Sequence, residues 1–206
     1  MGEVSLPIKG NVVVPARKSI LVIVDMQNEF LKEGGPRFVG ETANSVIRKV
    51  ESLLRKARAS NVVRIFLQST RYDESPEHRI FHRSKHLIEG SWGHKIVEEL
   101  SPREDEIIVK KFSHDPFNQT ELERILSEQM DGNPWDYHVV VGGVVTNVCV
   151  YETVTGFSVR NFRVYLPIDC TTSPDPDLHE AALRMLYYPA YSYNVLLTKE
   201  EEVRFE

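Results

Sequence analysis

Three kinds of side chain that could carry out nucleophilic and acid–base chemistry follow short apolar runs in this sequence. Asp25 comes directly after one run, and Lys110 and Lys111 end a second. Cys149 follows a third run by a short turn and begins a segment with helical periodicity. A carboxylate, an ammonium group and a thiol together suit acyl transfer, in which sulfur attacks a carbonyl carbon while a second group moves the proton.

The position of Cys149 at the start of a predicted helix suggests how reactive its thiol should be. Free N–H groups and the positive end of a helix dipole stabilise a thiolate. A nearby lysine would lower the pKa of Cys149 further, so we expect the thiolate to be favoured. The alternative is a buried, inert thiol, which is the more common fate of a free cysteine. Asp25 and the lysines have structural alternatives too, as a turn cap and as solvated strand ends.

The elements that must position these side chains alternate between strands and helices. Continuous Val, Ile and Leu runs, typical of strands buried on both faces, predict strands at 20–24, 62–67, 106–110, 137–141, 162–166 and 193–197. Amphipathic patterns predict helices at 41–59, 95–100, 119–130, 148–160 and 177–187. This alternation predicts an α/β fold, a three-layer, Rossmann-like sandwich whose mostly parallel, six-stranded sheet has helices on both faces. Because parallel strands end at the same edge, Asp25, Lys111 and Cys149 can meet there.

Two long segments, 26–40 and 69–92, follow strand ends and exceed the usual length of a connection. We expect the second of them to help form a substrate pocket at the sheet edge. It contains His78, His82 and His86, whose spacing could stack imidazoles on one helix face for a metal. The segment is polar and contains a proline, and no acidic third ligand stands in register. Surface histidines are therefore the favoured interpretation.

Composition restricts the class of protein. The 206 residues suit one domain, 1–206, with 1–17 as an N-terminal extension. The net charge of −5 and the lack of a long Lys/Arg run predict no nucleic-acid partner. No run approaches the roughly 20 apolar residues of a membrane span. Two cysteines are too few for a disulfide framework, and the start lacks an apolar signal sequence, which predicts a cytoplasmic protein in which Cys170 is structural.

Three ordered motifs make the sequence recognisable. Residues 21–30 read Leu-Val-Ile-Val-Asp-Met-Gln-Asn-Glu-Phe, and residues 143–150 read Gly-Val-Val-Thr-Asn-Val-Cys-Val. Between them, Ile-Val-Lys-Lys at 108–111 is followed by Phe117, Thr120 and Leu122. With Glu-Gly-Ser-Trp-Gly at 89–93, and with Asp169 and His179, these motifs resemble the isochorismatase-like cysteine hydrolases. The resemblance extends over about residues 18–197.

This resemblance implies a catalytic triad of Asp25, Lys111 and Cys149. It favours Lys111 over Lys110 because the family lysine stands six residues before the phenylalanine, which is Phe117 here. In the implied mechanism, Asp25 takes the proton of Cys149, the lysine stabilises charge, and a thioester forms and is then hydrolysed.

The resemblance also implies a cis peptide bond between Val144 and Val145. That bond would direct the Val145 N–H, together with the N–H of Cys149, at the substrate oxygen as an oxyanion hole. Gln27, Phe30 and Trp92 are the further substrate-binding residues that we expect, with Trp92 as an apolar wall.

The branch of the family is less sharply defined. The motifs look most like N-carbamoylsarcosine amidase and the ureidoacrylate or biuret hydrolases, which implies cleavage of a C–N bond in a small amide, carbamoyl or ureido compound. Relatives that act as nicotinamidases carry a metal-binding Asp-x-His pair where residues 68–71 read Gln-Ser-Thr-Arg, so we expect no metal and no cofactor. Residues 112–116 depart from the pattern of relatives, which weakens the case for a substrate that bears a carboxylate.

Three alternatives remain open at this point. The chain could be a nicotinamidase, a vinyl-ether hydrolase of the isochorismatase type that does not need the cysteine, or a catalytically idle scaffold. The expected partners are a small-molecule substrate and other copies of the chain, as a dimer or tetramer. The tyrosine-rich run 187–193 is a candidate for the subunit contact, because tyrosine is enriched at interfaces.

Overall fold

The computed structural model describes residues 6–82, 84–187 and 194–206. Its strands are β1 (Val12–Val14), β2 (Ser19–Val24), β3 (Val63–Ser69), β4 (Ile107–Lys111), β5 (His138–Val144), β6 (Arg163–Pro167), β7 (Thr171–Thr172), β8 (Val195–Thr198) and β9 (Val203–Phe205). Six of them form the main sheet in the order β4-β3-β2-β5-β6-β8, and the short β7 pairs with the end of β5. All of these pairings are parallel.

The helices are α1 (Asn28–Leu31), α2 (Ala43–Ala59), α3 (Pro76–Arg79), α4 (Leu122–Gln129), α5 (Tyr151–Val159) and α6 (Pro176–Leu186). The central strand β2 shows how the layers form, because its alternate side chains enter different cores. Leu21 and Ile23 face the core under α2, whereas Val22 faces the core under α4, α5 and α6. The predicted α/β fold, with a parallel main sheet between two helical layers, is confirmed.

Each predicted strand is present, with bounds that differ by no more than three residues. The shift matters at β4, which includes Lys111 as its last residue. A second, two-stranded parallel sheet joins β1 to β9 and was not predicted. It covers the α2 side of the molecule, where Val14 and Phe205 are buried.

Two helix predictions need correction. The segment 95–100 is not an α-helix: Ile96 pairs with Gln27 in an isolated antiparallel bridge, and only a 3-10 turn follows at Glu98–Leu100. The predicted helix 148–160 begins at Tyr151, after a π-helical turn over Thr146–Val150. The tyrosine-rich run proposed for subunit contact lies outside the described residues, apart from Tyr187. No helix in the part of the chain that the structure describes is long and apolar enough to cross a membrane.

A buried cluster of charges fixes the start of β4, the strand that carries Lys111. The Glu106 carboxylate, whose side chain is fully buried, accepts hydrogen bonds from Arg58 at 2.7 and 2.8 Å and from Arg64 at 3.1 Å. It also accepts the backbone N–H of Arg103 at 2.8 Å. Burial acts to raise the pKa of Glu106, but these hydrogen bonds outweigh it and lower the pKa from 4.5 to about 2.

This cluster predicts an acid-sensitive contribution to stability. The charge of Glu106 stabilises the fold fully above about pH 4.5, its unfolded pKa, and the contribution is lost as the pH falls toward about 2. Glu106→Gln should lower the free energy of unfolding by roughly 2 kcal/mol near pH 7, measured by urea denaturation. The deficit should shrink in acid, where wild-type Glu106 takes up a proton. The control is Glu104→Gln, which removes the same charge at an exposed position. A deficit that does not change with pH would contradict this account.

Candidate active site

Asp25 stands directly after β2 and has no exposed surface. Its backbone is in the left-handed region, with φ of 50°, and its N–H donates to the carbonyl of Leu67. The carboxylate Oδ1 accepts the backbone N–H of Ser69 at 2.9 Å. The other oxygen, Oδ2, accepts no hydrogen bond from the described residues, although the ammonium of Lys111 is 2.9 Å away. That oxygen is therefore available to accept a proton.

Lys111, the last residue of β4, is also completely buried. Since β4 and β2 are separated by β3, its side chain must cross the end of β3 to reach Asp25, a span of about 10 Å between strand axes. On the way Nζ donates to Ser69 Oγ at 2.8 Å, to the Ser113 carbonyl at 3.2 Å and to Cys149 Sγ at 3.3 Å. Burial acts to lower the pKa of Lys111, but Asp25 and Cys149 outweigh it and raise that pKa, so the ammonium keeps its charge.

Cys149 lies in the π-helical turn that follows β5 and is only 6% exposed. β5 can bring it close to Asp25 because Gly143 has no side chain: its φ is 136°, and a Cβ there would overlap the backbone of Val24 in the neighbouring strand. Asp25, Lys111 and Cys149, three residues predicted from the sequence to act together, are therefore brought together at the edge of the sheet.

The protonation state of Cys149 differs from the prediction. Burial, followed by the charge of Asp25, raises the pKa of the thiol to about 12, and Lys111 lowers it only in part. The expectation of a favoured thiolate is wrong, because it counted the helix start and the lysine but not burial or the carboxylate. Cys149 is therefore a neutral thiol at rest, and a base would be needed to generate the thiolate.

A cavity of about 500 Å³ opens over Cys149, a size typical of small-molecule sites. Val145 and Phe30, two of the predicted substrate-binding residues, line it. The peptide bond between Val144 and Val145 is cis, as the resemblance implies. Val148 and Leu87 add further apolar surface.

The other two predicted substrate-binding residues lie elsewhere. Gln27 is fully buried and holds backbone: Nε2 donates to the carbonyls of Ser69 and His94, and Oε1 accepts the Ser69 N–H. Trp92 is 50% exposed and is not among the residues that line the cavity; its carbonyl accepts a hydrogen bond from Asn28. The structure therefore does not support Trp92 as a wall of the pocket, and it gives Gln27 a positioning role beside Asp25.

The charged side chains at the cavity are paired within the protein. Arg37 lies 3.2 Å from the buried carboxylate of Glu29, and the buried Arg71 pairs with Glu77. Lys110, the second candidate lysine, is exposed and pairs with Glu89 on the surface, which separates it from the site.

The three histidines of the loop do not act as one group. The rings of His78 and His86 are in edge contact, with centroids 5.1 Å apart, while His82 is exposed. No cluster of three or more His, Cys, Asp or Glu side chains suited to a metal occurs within residues 6–82, 84–187 and 194–206. Cys170 is fully buried, and burial raises its pKa well above the ordinary value.

One residue at the site received no role from the sequence. His114, in the loop after β4, lines the cavity and places Nδ1 3.5 Å from Cys149 Sγ. The sequence signal for this residue is the departure of residues 112–116 from the pattern of relatives, which the sequence ties only to substrate charge.

Comparison with known proteins places this geometry in a family. The profile described as the isochorismatase domain matches residues 19–201, so the chain belongs to the isochorismatase-like hydrolase family. This confirms the resemblance at the level of the family but not the branch.

Solved structures with the same fold carry different names. An isochorismatase-like hydrolase from Alkaliphilus metalliredigens is 29% identical, with a TM-score of 0.75 over 89% of this chain and 96% of that one. N-carbamoylsarcosine amidase from Thermoplasma acidophilum is 24% identical, with a TM-score of 0.72 over 90% and 98% of the two chains. A nicotinamidase/pyrazinamidase from Bacillus subtilis is 23% identical, with a TM-score of 0.77 over 88% and 100%. Likeness at these identities shows the shared fold and leaves the substrate open.

The two neighbouring lysines should differ sharply in their effect on stability. Lys111→Met removes the charge beside a buried carboxylate and should lower the free energy of unfolding by about 3–5 kcal/mol. Lys110→Met breaks only an exposed pair and should cost less than about 1 kcal/mol. Urea denaturation at neutral pH measures both. Equal losses in the two variants would show that Lys111 does not form the buried pair.

Proposed function

We propose that this protein hydrolyses a C–N bond of a small amide, carbamoyl or ureido compound through a thioester on Cys149. The observation that carries the proposal is the contact between Cys149 Sγ and Lys111 Nζ, which are 3.3 Å apart. The same Nζ lies 2.9 Å from Asp25 Oδ2, a carboxylate oxygen that accepts no hydrogen bond from the described residues. A nucleophile that lines a cavity of substrate size thus lies beside a buried positive charge and a buried proton acceptor.

In the first half of the reaction, Asp25 Oδ2 takes the thiol proton as Sγ attacks the carbonyl carbon. The neutral state of the thiol makes this proton transfer necessary, because little thiolate is present near pH 7 when the pKa is about 12. The Lys111 ammonium stabilises the negative charge as it passes between sulfur and carboxylate. When the C–N bond breaks, Asp25 returns the proton to the nitrogen, so that ammonia or an amine departs and a thioester remains.

The paired charges in the cavity support an uncharged substrate. Arg37 and Arg71 each already contact a glutamate, so binding a carboxylate would require either arginine to give up or share its partner. Apolar surface from Phe30, Leu87 and Val148 suits a small, neutral molecule instead. An amide or urea group also presents the carbonyl carbon that Cys149 attacks.

Cysteine variants test the proposal by ammonia release from a panel of small amides, ureas and carbamoyl compounds. Cys149→Ala and Cys149→Ser should each reduce turnover to no more than a few per cent of wild type, since neither offers a thiol to form the thioester. The matched control is Cys170→Ala, a second buried cysteine away from the cavity, which should keep its activity.

Other results would favour the alternatives. Retained turnover in Cys149→Ala would favour vinyl-ether hydrolysis, which does not need the thiol. Activity that is lost on chelation and restored by zinc would favour a metal-dependent nicotinamidase. No turnover by the wild type, together with equally slow alkylation of Cys149 and Cys170, would favour an idle scaffold.

A further inference from the structure

His114 contacts Cys149 from the cavity, whereas Asp25 and Lys111 are buried and do not line that cavity. Its Nδ1 lies 3.5 Å from Cys149 Sγ, while Lys111 Nζ approaches the same sulfur from the protein interior at 3.3 Å. Unlike Asp25 and Lys111, which have no exposed surface, His114 is exposed and lines the cavity. Cys149 therefore has two potential proton acceptors nearby: Asp25, which is buried in the protein, and His114, which lines the cavity.

The two halves of a thioester mechanism need proton acceptors in different places. In the first half the proton is on sulfur, within reach of the buried Asp25. In the second half the proton is on a water molecule, which must come from the cavity because Asp25 and Lys111 fill the interior side. The attacking water needs a base that is exposed to the cavity and close to the sulfur that bears the acyl group.

We propose that His114 is the general base of the second half of the reaction, the hydrolysis of the acyl-Cys149 thioester. This inference rests on the proposed thioester at Cys149. It assigns the two proton transfers of the cycle to two different residues, Asp25 for acylation and His114 for deacylation.

The step balances in atoms and protons. His114 takes a proton from water as the oxygen bonds to the thioester carbonyl carbon, which gives a tetrahedral intermediate and a protonated imidazole. The C–S bond then breaks, the product leaves as a carboxylic or carbamic acid, and Cys149 departs as a thiolate. At 3.5 Å, Nδ1 can return its proton directly to Sγ, which restores the neutral thiol and the neutral imidazole.

The charges around His114 keep the ring able to accept a proton. Partial burial, then Lys111 and Arg71, lower its pKa, while Asp25 and Glu152 act in the opposite direction. The net shift is downward from 6.5, so the imidazole is mostly neutral at pH 7.

Acetylation by p-nitrophenyl acetate tests this role without knowledge of the natural substrate. The reagent transfers an acetyl group to a reactive thiol and releases p-nitrophenolate, whose colour reports acylation. Intact-protein mass spectrometry with peptide mapping then follows loss of the acetyl group from Cys149. His114→Asn should acetylate at a rate similar to wild type but lose the acetyl group about 100-fold more slowly. His82→Asn, a histidine that does not line the cavity, is the matched control and should behave as wild type.

The pH dependence supplies a second readout that a structural role would not change. In the wild type, the deacetylation rate should rise with pH as His114 loses its proton and then level off. The midpoint of that rise should lie below 6.5, because the pKa of His114 is lowered. In His114→Asn that titration should disappear.

Each other result contradicts the proposal in a recognisable way. Deacetylation of His114→Asn at the wild-type rate would overturn the role of His114 while leaving Cys149 as nucleophile. Equal slowing of acetylation and deacetylation would show that His114 only positions the thiol. A wild type that is not acetylated at Cys149 would overturn the proposed function together with this inference.

Discussion

The structure depends on one buried ion pair, that of Lys111 and Asp25, which are both without exposed surface. Removing two charges from water is costly, and their attraction compensates only when the remaining hydrogen-bonding groups are satisfied. Here the ammonium also donates to Ser69 Oγ and to the Ser113 carbonyl, and the carboxylate accepts the Ser69 N–H. The end of β3 thus holds both partners, and the sheet order β4-β3-β2 is what places them at the correct distance.

The same pair determines the protonation state of Cys149. A carboxylate beside a buried thiol raises the pKa of that thiol, and the lysine offsets the effect only partly, so Cys149 rests as a thiol. This arrangement differs from a cysteine activated by a permanent thiolate. In the proposed mechanism it links nucleophilic attack to proton transfer within the site, and it keeps the resting thiol in its less reactive form.

Much of this arrangement could be predicted because it follows from short-range patterns. Buried strands read as continuous apolar runs, and parallel strands end at one edge, which was enough to bring Asp25 and Cys149 together. The choice of Lys111 over Lys110 came from the spacing to Phe117, and the structure gives its physical basis: Lys111 points into the site, while Lys110 pairs with Glu89 on the surface.

The features that could not be predicted depend on tertiary contacts, which local sequence patterns do not contain. The sheet of β1 and β9 pairs two three-residue segments from opposite ends of the chain, too short to give a strand signal and too distant to be paired. Trp92 and His114 both lie in loops, where side-chain direction follows from tertiary contacts instead of a period of 2 or 3.6. Trp92 was expected at the cavity and is not among the residues that line it, whereas His114 was given no role and contacts the sulfur of Cys149.

In the proposed mechanism Asp25 keeps Cys149 protonated at rest and accepts its proton during attack. The most direct test is the rate of Cys149 alkylation by iodoacetamide in Asp25→Asn near pH 7, set beside turnover of the same variant. The substitution keeps the shape of the side chain but removes the charge that raises the thiol pKa. Asp25→Asn should be alkylated faster than wild type and should lose nearly all turnover. Unchanged alkylation with full turnover would contradict this mechanism, because the carboxylate would then neither control the thiol nor carry its proton.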